Sequence, residues 1–201
     1  MTVRFCDEFD GGFGWIVDNE FFKRCSHVLV VDGRVWVVDP MDGDGVDERI
    51  RAAGDPAGVF KLVDRHSRDS EALSARLGVP VHVLPKAPVE GAPFEFRTVC
   101  KNRGWQEVGI WWPERRVLVV GDSLGTARYF LAGNERLAVH PLLRPAAVPR
   151  KRLGDLDPQV VLCGHGEGIV DDAGPAFREA LSTSRRRIPR LVASWARLRR
   201  Q

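Results

Sequence analysis

The sequence predicts a single α/β domain in which sheets are covered by helices. Several apolar, β-branched runs are followed by a helical segment, then by more such runs, and finally by helices. This order favours a layered α/β sandwich. Four polar motifs each follow one of the apolar runs, so each lies where a strand ends and a loop begins. The 201 residues suit one domain with a substantial core, and we expect it to span residues 1–201.

Strands joined by tight turns are expected at the start of the chain. The predicted strands of this part are Phe13–Val17, His27–Val31 and Arg34–Val38. Asp32-Gly33, between the last two, is a two-residue hairpin signal. The third strand leads through Asp39-Pro40 into a glycine-rich loop over residues 41–45. A short helix is then predicted over Val46–Ala53, because Gly54 ends it.

The remainder of the chain predicts one more helix, six more strands and a helical end. The strand Val59–Val63 leads into a helix over Ser70–Leu77, which Gly78 ends as the first residue beyond it. The later predicted strands are Val79–Leu84, Phe94–Val99, Val108–Trp112, Arg116–Val120 and Gln159–Cys163. The C-terminal helical region begins with Pro175–Leu181.

The segment at about 185–200 is rich in arginine. Its arginines are Arg185, Arg186, Arg187, Arg190, Arg197, Arg199 and Arg200, and without them the rest of the chain is net negative, although the formal net charge is +3. Its apolar residues recur at helical spacing, at Ile188, Leu191, Trp195 and Leu198. We therefore expect an amphipathic helix docked on the body, rather than a tail that binds nucleic acid or an anionic membrane surface.

The cysteines are scattered along the chain, at Cys6, Cys25, Cys100 and Cys163. The absence of a Cys-x-x-Cys pair argues against a structural zinc cluster and against a disulfide framework. Buried, reduced thiols are expected instead. The sequence also holds no apolar run of about 18 residues and no apolar signal region at its start. A cytoplasmic protein without a membrane span is the prediction.

The four polar motifs carry the residue types of a hydrolytic metal site. They are Asp64-Arg65-His66-Ser67-Arg68-Asp69, Arg103-Gly104-Trp105, Val120-Gly121-Asp122-Ser123 and Cys163-Gly164-His165-Gly166. Zinc in such sites is held by histidine nitrogens and carboxylate oxygens, with one position left for water. His66, Asp122 and His165 are ligand types on three separate motifs, and Asp64 and Asp69 could add to them. These residues predict a site for one zinc or other divalent ion.

In order and context the motifs resemble the metallo-β-lactamase superfamily, over roughly residues 13–170. The resemblance implies an αββα sandwich of the metallo-β-lactamase type. The family's first motif, His-x-His-x-Asp-His, lies between a strand and a helix, as the first motif does here. Only His66 keeps its identity. Asp64 and Asp69 stand where histidines are expected, and Arg68 stands where the aspartate is expected.

The other three motifs show one replacement and two matches. Trp105 stands where the second motif has a histidine ligand, whereas the Gly-Asp and Gly-His-Gly motifs are intact at Asp122 and His165. The resemblance therefore implies that the usual two-metal site is broken. What remains is a degenerate active site that could hold one ion.

As an enzyme, the protein would be a mononuclear metal-dependent hydrolase of a small ester, thioester, lactone or amide. His66, Asp122 and His165 would hold the ion, and Asp122 and Asp69 are the candidate catalytic carboxylates. The residues expected to line the site are Asp64, Arg68 and Trp105. Asp69 is equally placed to cap the helix that begins at Ser70, and we favour that role.

Two alternatives remain open at this point. The first is a non-catalytic, metal-free binding or interaction module, in which the permanent charge of Arg68 pairs with Asp122 or Asp69 and Trp105 fills the former metal position. The second is a serine esterase of the GDSL type, because residues 121–124 spell Gly-Asp-Ser-Leu. A serine nucleophile needs a base, and in the GDSL family an Asp-x-x-His block provides it. The nearest candidate for that block in this chain ends at His140 and has leucine, Leu137, in place of the aspartate.

Overall fold

Two mixed sheets form the centre of the structure, a computed structural model that describes residues 1–66 and 68–198. The first sheet has the strand order β1-β2-β3-β4-β5-β6. Its strands are β1 (Arg4–Phe9), β2 (Gly12–Ile16), β3 (Cys25–Val31), β4 (Arg34–Val38), β5 (Asp55–Lys61) and β6 (Val81–Val83). Strands β1 to β4 are antiparallel, whereas β4, β5 and β6 are parallel. The parallel connections pass through the helices α1 (Val46–Ala53) and α2 (Ser70–Leu77).

The second sheet has the order β12-β9-β8-β7, with β12 parallel to β9. Its strands are β7 (Glu95–Asn102), β8 (Trp105–Trp112), β9 (Val117–Val120) and β12 (Val160–Cys163). A short ribbon of β10 (Leu124–Gly125) and β11 (Ala138–Val139) lies apart from both sheets. The later helices are α3 (Arg150–Leu153), α4 (Ala173–Thr183) and α5 (Ile188–Leu198).

The apolar core lies in three layers, because both faces of each sheet are covered. Side chains from the two sheets meet between them, among them Trp36, Phe60, Leu62, Ile110 and Leu162. On β4 the neighbours of Trp36, Val35 and Val37, point the other way and pack against α1 and α2. On the far side of the second sheet, Leu118 and Val161 pack with Phe177 of α4. The period-two alternation of the strands thus produces an αββα arrangement.

The two helices of the first half occupy the residues predicted for them. Gly78 ends α2 in the left-handed conformation, at φ 72°, and its N–H donates to the carbonyl of Ser74. The strand predicted at Val59 instead begins at Asp55, and β1 was not predicted at all. All four cysteines are buried and unpaired, as expected.

The C-terminal helix α5 begins at Ile188, later than expected. Leu191 is buried, and the indole N–H of Trp195 donates to the carbonyl of Tyr129 at 2.9 Å, so this helix contacts the body of the protein. Arg199 and Arg200 lie outside the described residues, as do the side chains of Arg197 and Leu198. Within the described part of the chain, no helix has the length and apolar character needed to span a membrane.

Candidate metal centre

Asp122 and His165 lie side by side because they follow two neighbouring parallel strands. Strands β9 and β12 pair in register, with Val120 opposite Cys163, and each strand then turns through a glycine. A Cβ atom on Gly121 would lie 2.3 Å from Val63, and one on Gly164 would lie 2.6 Å from the carbonyl oxygen of Gly121. The two glycines therefore let the two loops approach closely.

His66 joins them from the loop that follows the carboxyl end of β5. Its Nε2 atom is 2.7 Å from Oδ1 of Asp122, and Nε2 of His165 is 2.9 Å from the same oxygen. Asp122 is buried, and the two imidazole side chains are only 10% and 11% exposed. Among the described residues, His66, Asp122 and His165 form a group of donor atoms that all lie within 4.8 Å of one another.

The outer nitrogen of each imidazole also has a partner. Nδ1 of His165 is 2.8 Å from the carbonyl oxygen of Phe22, and Nδ1 of His66 is 3.3 Å from Oδ2 of Asp39. A carbonyl oxygen only accepts hydrogen bonds, so Nδ1 of His165 carries a proton. Asp39 is an acceptor too: burial raises the pKa of its carboxyl, but His66 and Arg68 bring that pKa below its usual value.

This arrangement turns both Nε2 atoms toward one carboxylate oxygen. With Nδ1 protonated, the neutral form of each ring presents a lone pair at Nε2. Two lone pairs and an anionic oxygen cannot meet at these distances unless positive charge lies between them. Either a metal ion or a second proton on each ring supplies that charge. In its protonated form the cluster lowers the pKa of Asp122 far below its usual value despite burial, through the hydrogen bonds from His165 and His66.

The second oxygen of Asp122 is bound by Arg65. The guanidinium donates to Oδ2 at 3.0 and 3.3 Å, and it lies over the ring of Trp105, 3.7 Å from the ring centre. The expectation that Arg68 pairs with Asp122 or Asp69 is therefore wrong. Arg65 binds Asp122 instead. Both arginines lie in a loop, where the alternation of a strand does not control the direction of side chains.

Arg68 points into the protein and binds backbone. Its guanidinium donates to the carbonyl oxygens of Cys25, Asp39 and Gly164. These carbonyls belong to β3, to the residue after β4 and to the loop after β12. Arg68 thus acts as a link between chain segments and not as a carboxylate partner, and its predicted role in lining the site stays a prediction.

The two other acidic residues of the first motif do not enter the donor group. Asp69 is the N-cap residue of α2, yet its side chain makes no capping hydrogen bond, and Oδ2 accepts the N–H of Asp42 at 2.7 Å instead. The prediction of a capping carboxylate is thus wrong, and a catalytic role for Asp69 stays a prediction. The backbone N–H of Asp64 donates to the carbonyl of Gln106, which places Asp64 beside β8.

Glu107 holds the loop that carries Asp122, and the sequence analysis missed it. Its buried carboxylate accepts from the N–H groups of Gly121 and Ser123, from the Ser123 hydroxyl at 2.7 Å, and from the Trp105 indole N–H. Burial, together with the nearby Asp122, raises the pKa of Glu107 to about 7. The sequence signal that could have identified Glu107 is its position, as an acidic residue, directly before the apolar run that begins at Val108.

The same contact argues against the serine esterase alternative. Ser123 is fully buried, and its hydroxyl donates to a carboxylate and not to a histidine. The ring centre of His140 lies 4.9 Å from that of Trp105. Burial lowers the pKa of the His140 imidazole to about 4.

An aromatic rim borders the centre on the His165 side. Phe22, Tyr129 and Phe130 have ring centres between 5.9 and 6.3 Å from that of His165. Phe21 stacks on Tyr129, and Phe21 and Phe22 are 66% and 54% exposed. The rim therefore offers exposed apolar surface next to a charged cluster.

Comparison with known proteins supports the fold. No family model matches the sequence, and no curated protein matches it. Among solved structures, a metallo-β-lactamase from Pontibacter korlensis superposes with a TM-score of 0.64 at 12% identity, covering 90% of this chain and 99% of that one. The DIM-1 metallo-β-lactamase gives a TM-score of 0.60 at 13% identity, covering 94% and 98%.

A further solved structure, ETHE1 from Myxococcus xanthus, gives a TM-score of 0.56 at 16% identity, covering 96% of this chain and 85% of that one. The similarity in all three cases extends over nearly the whole chain. The protein therefore has the metallo-β-lactamase fold, and the predicted αββα sandwich is confirmed.

Proposed function

We propose that this protein is a mononuclear metal-dependent hydrolase, in which His66, Asp122 and His165 hold one divalent ion. The observation that carries the proposal is the convergence of both Nε2 atoms on Oδ1 of Asp122, with each Nδ1 atom bound to an acceptor. Two histidines and a carboxylate leave one position of a tetrahedral ion open, which is the pattern of catalytic zinc sites.

The surroundings of the three side chains support this assignment. Metal-binding histidines commonly donate their other N–H to a carboxylate or a backbone carbonyl, and Asp39 and Phe22 provide one of each. Around a tetrahedral zinc ion, nitrogen and oxygen ligands lie about 3.3 Å apart. The observed 2.7 and 2.9 Å are shorter, so ion binding requires the imidazoles to move outward by roughly half an ångström.

Arg65 limits the centre to one ion. Its guanidinium lies over the Trp105 ring and binds Oδ2 of Asp122, so that oxygen is not free for a second metal. The side chain of Arg65 is 38% exposed, which also leaves N–H groups that can bind a substrate oxygen.

A divalent ion at this centre would supply Lewis acidity, which polarises a carbonyl group and lowers the pKa of a water molecule toward neutrality. The protein's own residues bind and orient. Asp39 fixes the ring of His66, Glu107 fixes the loop of Asp122, and Arg65 presents its guanidinium to the substrate. Phe22 and Tyr129 offer an apolar surface for the rest of a small ester, thioester, lactone or amide.

A second candidate function follows from the same distances. At 2.7 and 2.9 Å, both contacts to Asp122 have the length of charge-assisted hydrogen bonds from imidazolium groups. For His66, burial and Arg68 lower the pKa, but Asp39 and Asp122 raise it further, and the net pKa is above its usual value. A metal-free protein with a doubly protonated cluster would serve as a binding or interaction module.

Metal content distinguishes the two functions. The protein is purified without chelators and without an affinity histidine tag, dialysed against zinc, and compared with His165→Ala and with the control His82→Ala on β6. The proposal predicts one equivalent of metal that His165→Ala loses and His82→Ala keeps, with hydrolysis of at least one member of a panel of small esters, thioesters, lactones and amides. Equal metal content in wild type and His165→Ala would reject the metal centre and favour the binding module.

A further inference from the structure

A second group of metal-ligand side chains is buried in the first sheet, and none of its members belongs to the four sequence motifs. Cys6 and Asp7 lie on β1, and Cys25 and His27 lie on β3. All four residues are buried, with no more than 8% of any of them exposed. The strand β2 lies between them, so the group spans three neighbouring strands.

The donor atoms of this group are close together. Sγ of Cys25 is 3.8 Å from Sγ of Cys6, 3.6 Å from Oδ2 of Asp7 and 3.5 Å from Nε2 of His27. Nε2 of His27 is 3.2 Å from Oδ2 of Asp7. The donor atoms of Cys6, Asp7 and Cys25 all lie within 4.8 Å of one another, and His27 adjoins two of them.

These separations match four of the six edges of a zinc tetrahedron. His27 lies outside the group whose donor atoms are all within 4.8 Å of one another, so the edge between Cys6 and His27 must shorten by side-chain movement when an ion binds. With Zn–S bonds of about 2.3 Å and Zn–N or Zn–O bonds of about 2.0–2.1 Å, two sulfurs lie about 3.8 Å apart, sulfur lies about 3.6 Å from nitrogen or oxygen, and nitrogen lies about 3.3 Å from oxygen. All four distances above agree with the corresponding edge to within about 0.2 Å. The donor set, two cysteines with a histidine and a carboxylate, is one that zinc favours.

The backbone around the group leaves room for it. A Cβ atom on Gly14 of β2 would lie 3.0 Å from the ring of His27 and 3.2 Å from Oδ2 of Asp7. Asp7 itself has φ 53°, at a shift in the β1–β2 register that turns its side chain inward beside that of Cys6. Two successive side chains of β1 are thereby buried on the same side, which regular alternation would not allow.

The charge around the group is nearly balanced for a divalent ion. Two thiolates and one carboxylate carry three negative charges, which a divalent ion reduces to one. The guanidinium of Arg68 donates to the carbonyl of Cys25 and places a fixed positive charge beside β3. The carboxylate of Asp7 also accepts the N–H of Gly168 at 2.9 Å, so its oxygens are oriented.

We propose that Cys6, Asp7, Cys25 and His27 form a structural site for one zinc ion, separate from the candidate metal centre. On binding, each thiol loses its proton to solvent and each sulfur becomes a ligand. Four protein ligands close the coordination shell, as in structural zinc sites. The ion would join β1 and β3 and, through Asp7 and Gly168, the loop that carries His165. This inference does not rest on the proposed hydrolase function.

Cobalt(II) provides the test, because thiolate ligands give it a near-ultraviolet charge-transfer absorption that histidine and carboxylate ligands do not. Reduced, full-length protein is titrated with cobalt beside Cys6→Ser and the control Cys100→Ser, which alters a buried cysteine of β7. Wild type and Cys100→Ser are expected to show the absorption, and Cys6→Ser is expected to lose it together with one equivalent of metal. His165→Ala is expected to keep the absorption.

A second measurement does not depend on Cys6→Ser folding. X-ray absorption of the zinc-loaded His165→Ala protein, which retains this site, is expected to show two sulfur atoms and two lighter atoms bound to zinc. Cobalt binding without thiolate absorption, absorption that Cys100→Ser abolishes, or a zinc shell without sulfur would overturn the proposal. The failure of the hydrolase proposal would instead appear as metal content that His165→Ala does not change.

Discussion

The guanidinium carbon of Arg65 lies 3.7 Å from the centre of the Trp105 ring, while its N–H groups bind Asp122. In the family pattern that the motifs resemble, position 105 belongs to a histidine ligand. Here the indole ring of Trp105 packs against the guanidinium of Arg65, which binds the carboxylate of Asp122. The replacement at position 105 and the arginine at position 65 therefore act together.

Arg65→Gln is expected to bind zinc more tightly at the His66–Asp122–His165 centre. The variant removes a positive charge that repels the ion, and since the side chain is partly exposed, the repulsion is about 1 kcal/mol, or about fivefold in affinity. A competition titration with a chromophoric chelator measures the change. Arg97→Gln is a matched control, because Arg97 is similarly exposed and binds Glu95 and Asp155. Weaker zinc binding by Arg65→Gln would contradict this account.

Asp39→Asn is expected to weaken the same centre without disturbing the fold. Oδ1 accepts the N–H of Leu62 at 3.0 Å, which an amide oxygen can also do, and asparagine tolerates the residue's φ of 44°. The amide N–H₂ would then face Nδ1 of His66, so zinc affinity should fall about 10- to 100-fold. Calorimetric titration is the measurement, with Asp42→Asn in the same loop as the control. Unchanged affinity in Asp39→Asn would show that Asp39 does not orient the ring.

Arg68→Met is expected to lower the free energy of unfolding by about 3 kcal/mol, because three buried carbonyl groups lose a charged donor. The free energy of unfolding of Arg68→Lys should lie between those of Arg68→Met and wild type, since an ammonium group cannot reproduce the planar guanidinium geometry. Denaturant unfolding measures both. Arg103→Met, at an exposed position, should change stability by no more than about 0.5 kcal/mol. An equally small loss of unfolding free energy in Arg68→Met would mean that water takes the place of the guanidinium as the donor to the three carbonyl groups.

Glu107 is expected to make stability decrease as pH rises. Its pKa of about 7 in the folded protein lies above the ordinary value of 4.5. Between these pH values the folded chain keeps a proton that the unfolded chain has lost, so raising the pH from 5 to 8 disfavours folding by up to about 3 kcal/mol. Glu107→Gln should reduce this slope, whereas the exposed Glu114→Gln should keep it. Denaturant unfolding at the two pH values, in the presence of a chelator, measures the change in stability. An equal change in wild type and in both variants would exclude Glu107 as its source.

Local signals predicted helices α1 and α2, whereas strand β1 and helix α3 were not predicted. Helices α1 and α2 are each ended by a glycine, and such signals act within a few residues. In β1 the register shift buries Cys6 and Asp7 in succession, so the alternation that identifies a strand is broken. The group around Cys25 and His27 could not be found by spacing either, because its members meet across strands.

The candidate metal centre was predictable where strands deliver its residues. Asp122 and His165 follow two strands that pair in register, so a motif at each strand end was sufficient. The partners Asp39 and Phe22 act through side-chain and backbone oxygens that no motif marks. Arg65 and Arg68 lie in one loop, and only its folded path decides which of them meets a carboxylate.

The three carbonyl oxygens around Arg68 also restrict how this chain could change over evolutionary time. Position 68 is where the resembled motif has an aspartate. The substitution Arg68→Asp would set a carboxylate against the carbonyl groups of Cys25, Asp39 and Gly164, which now accept hydrogen bonds from the guanidinium. It would carry the cost of burying unpaired acceptors. An aspartate at this position therefore requires other donors for the three carbonyl groups, so that more than one residue must change with it.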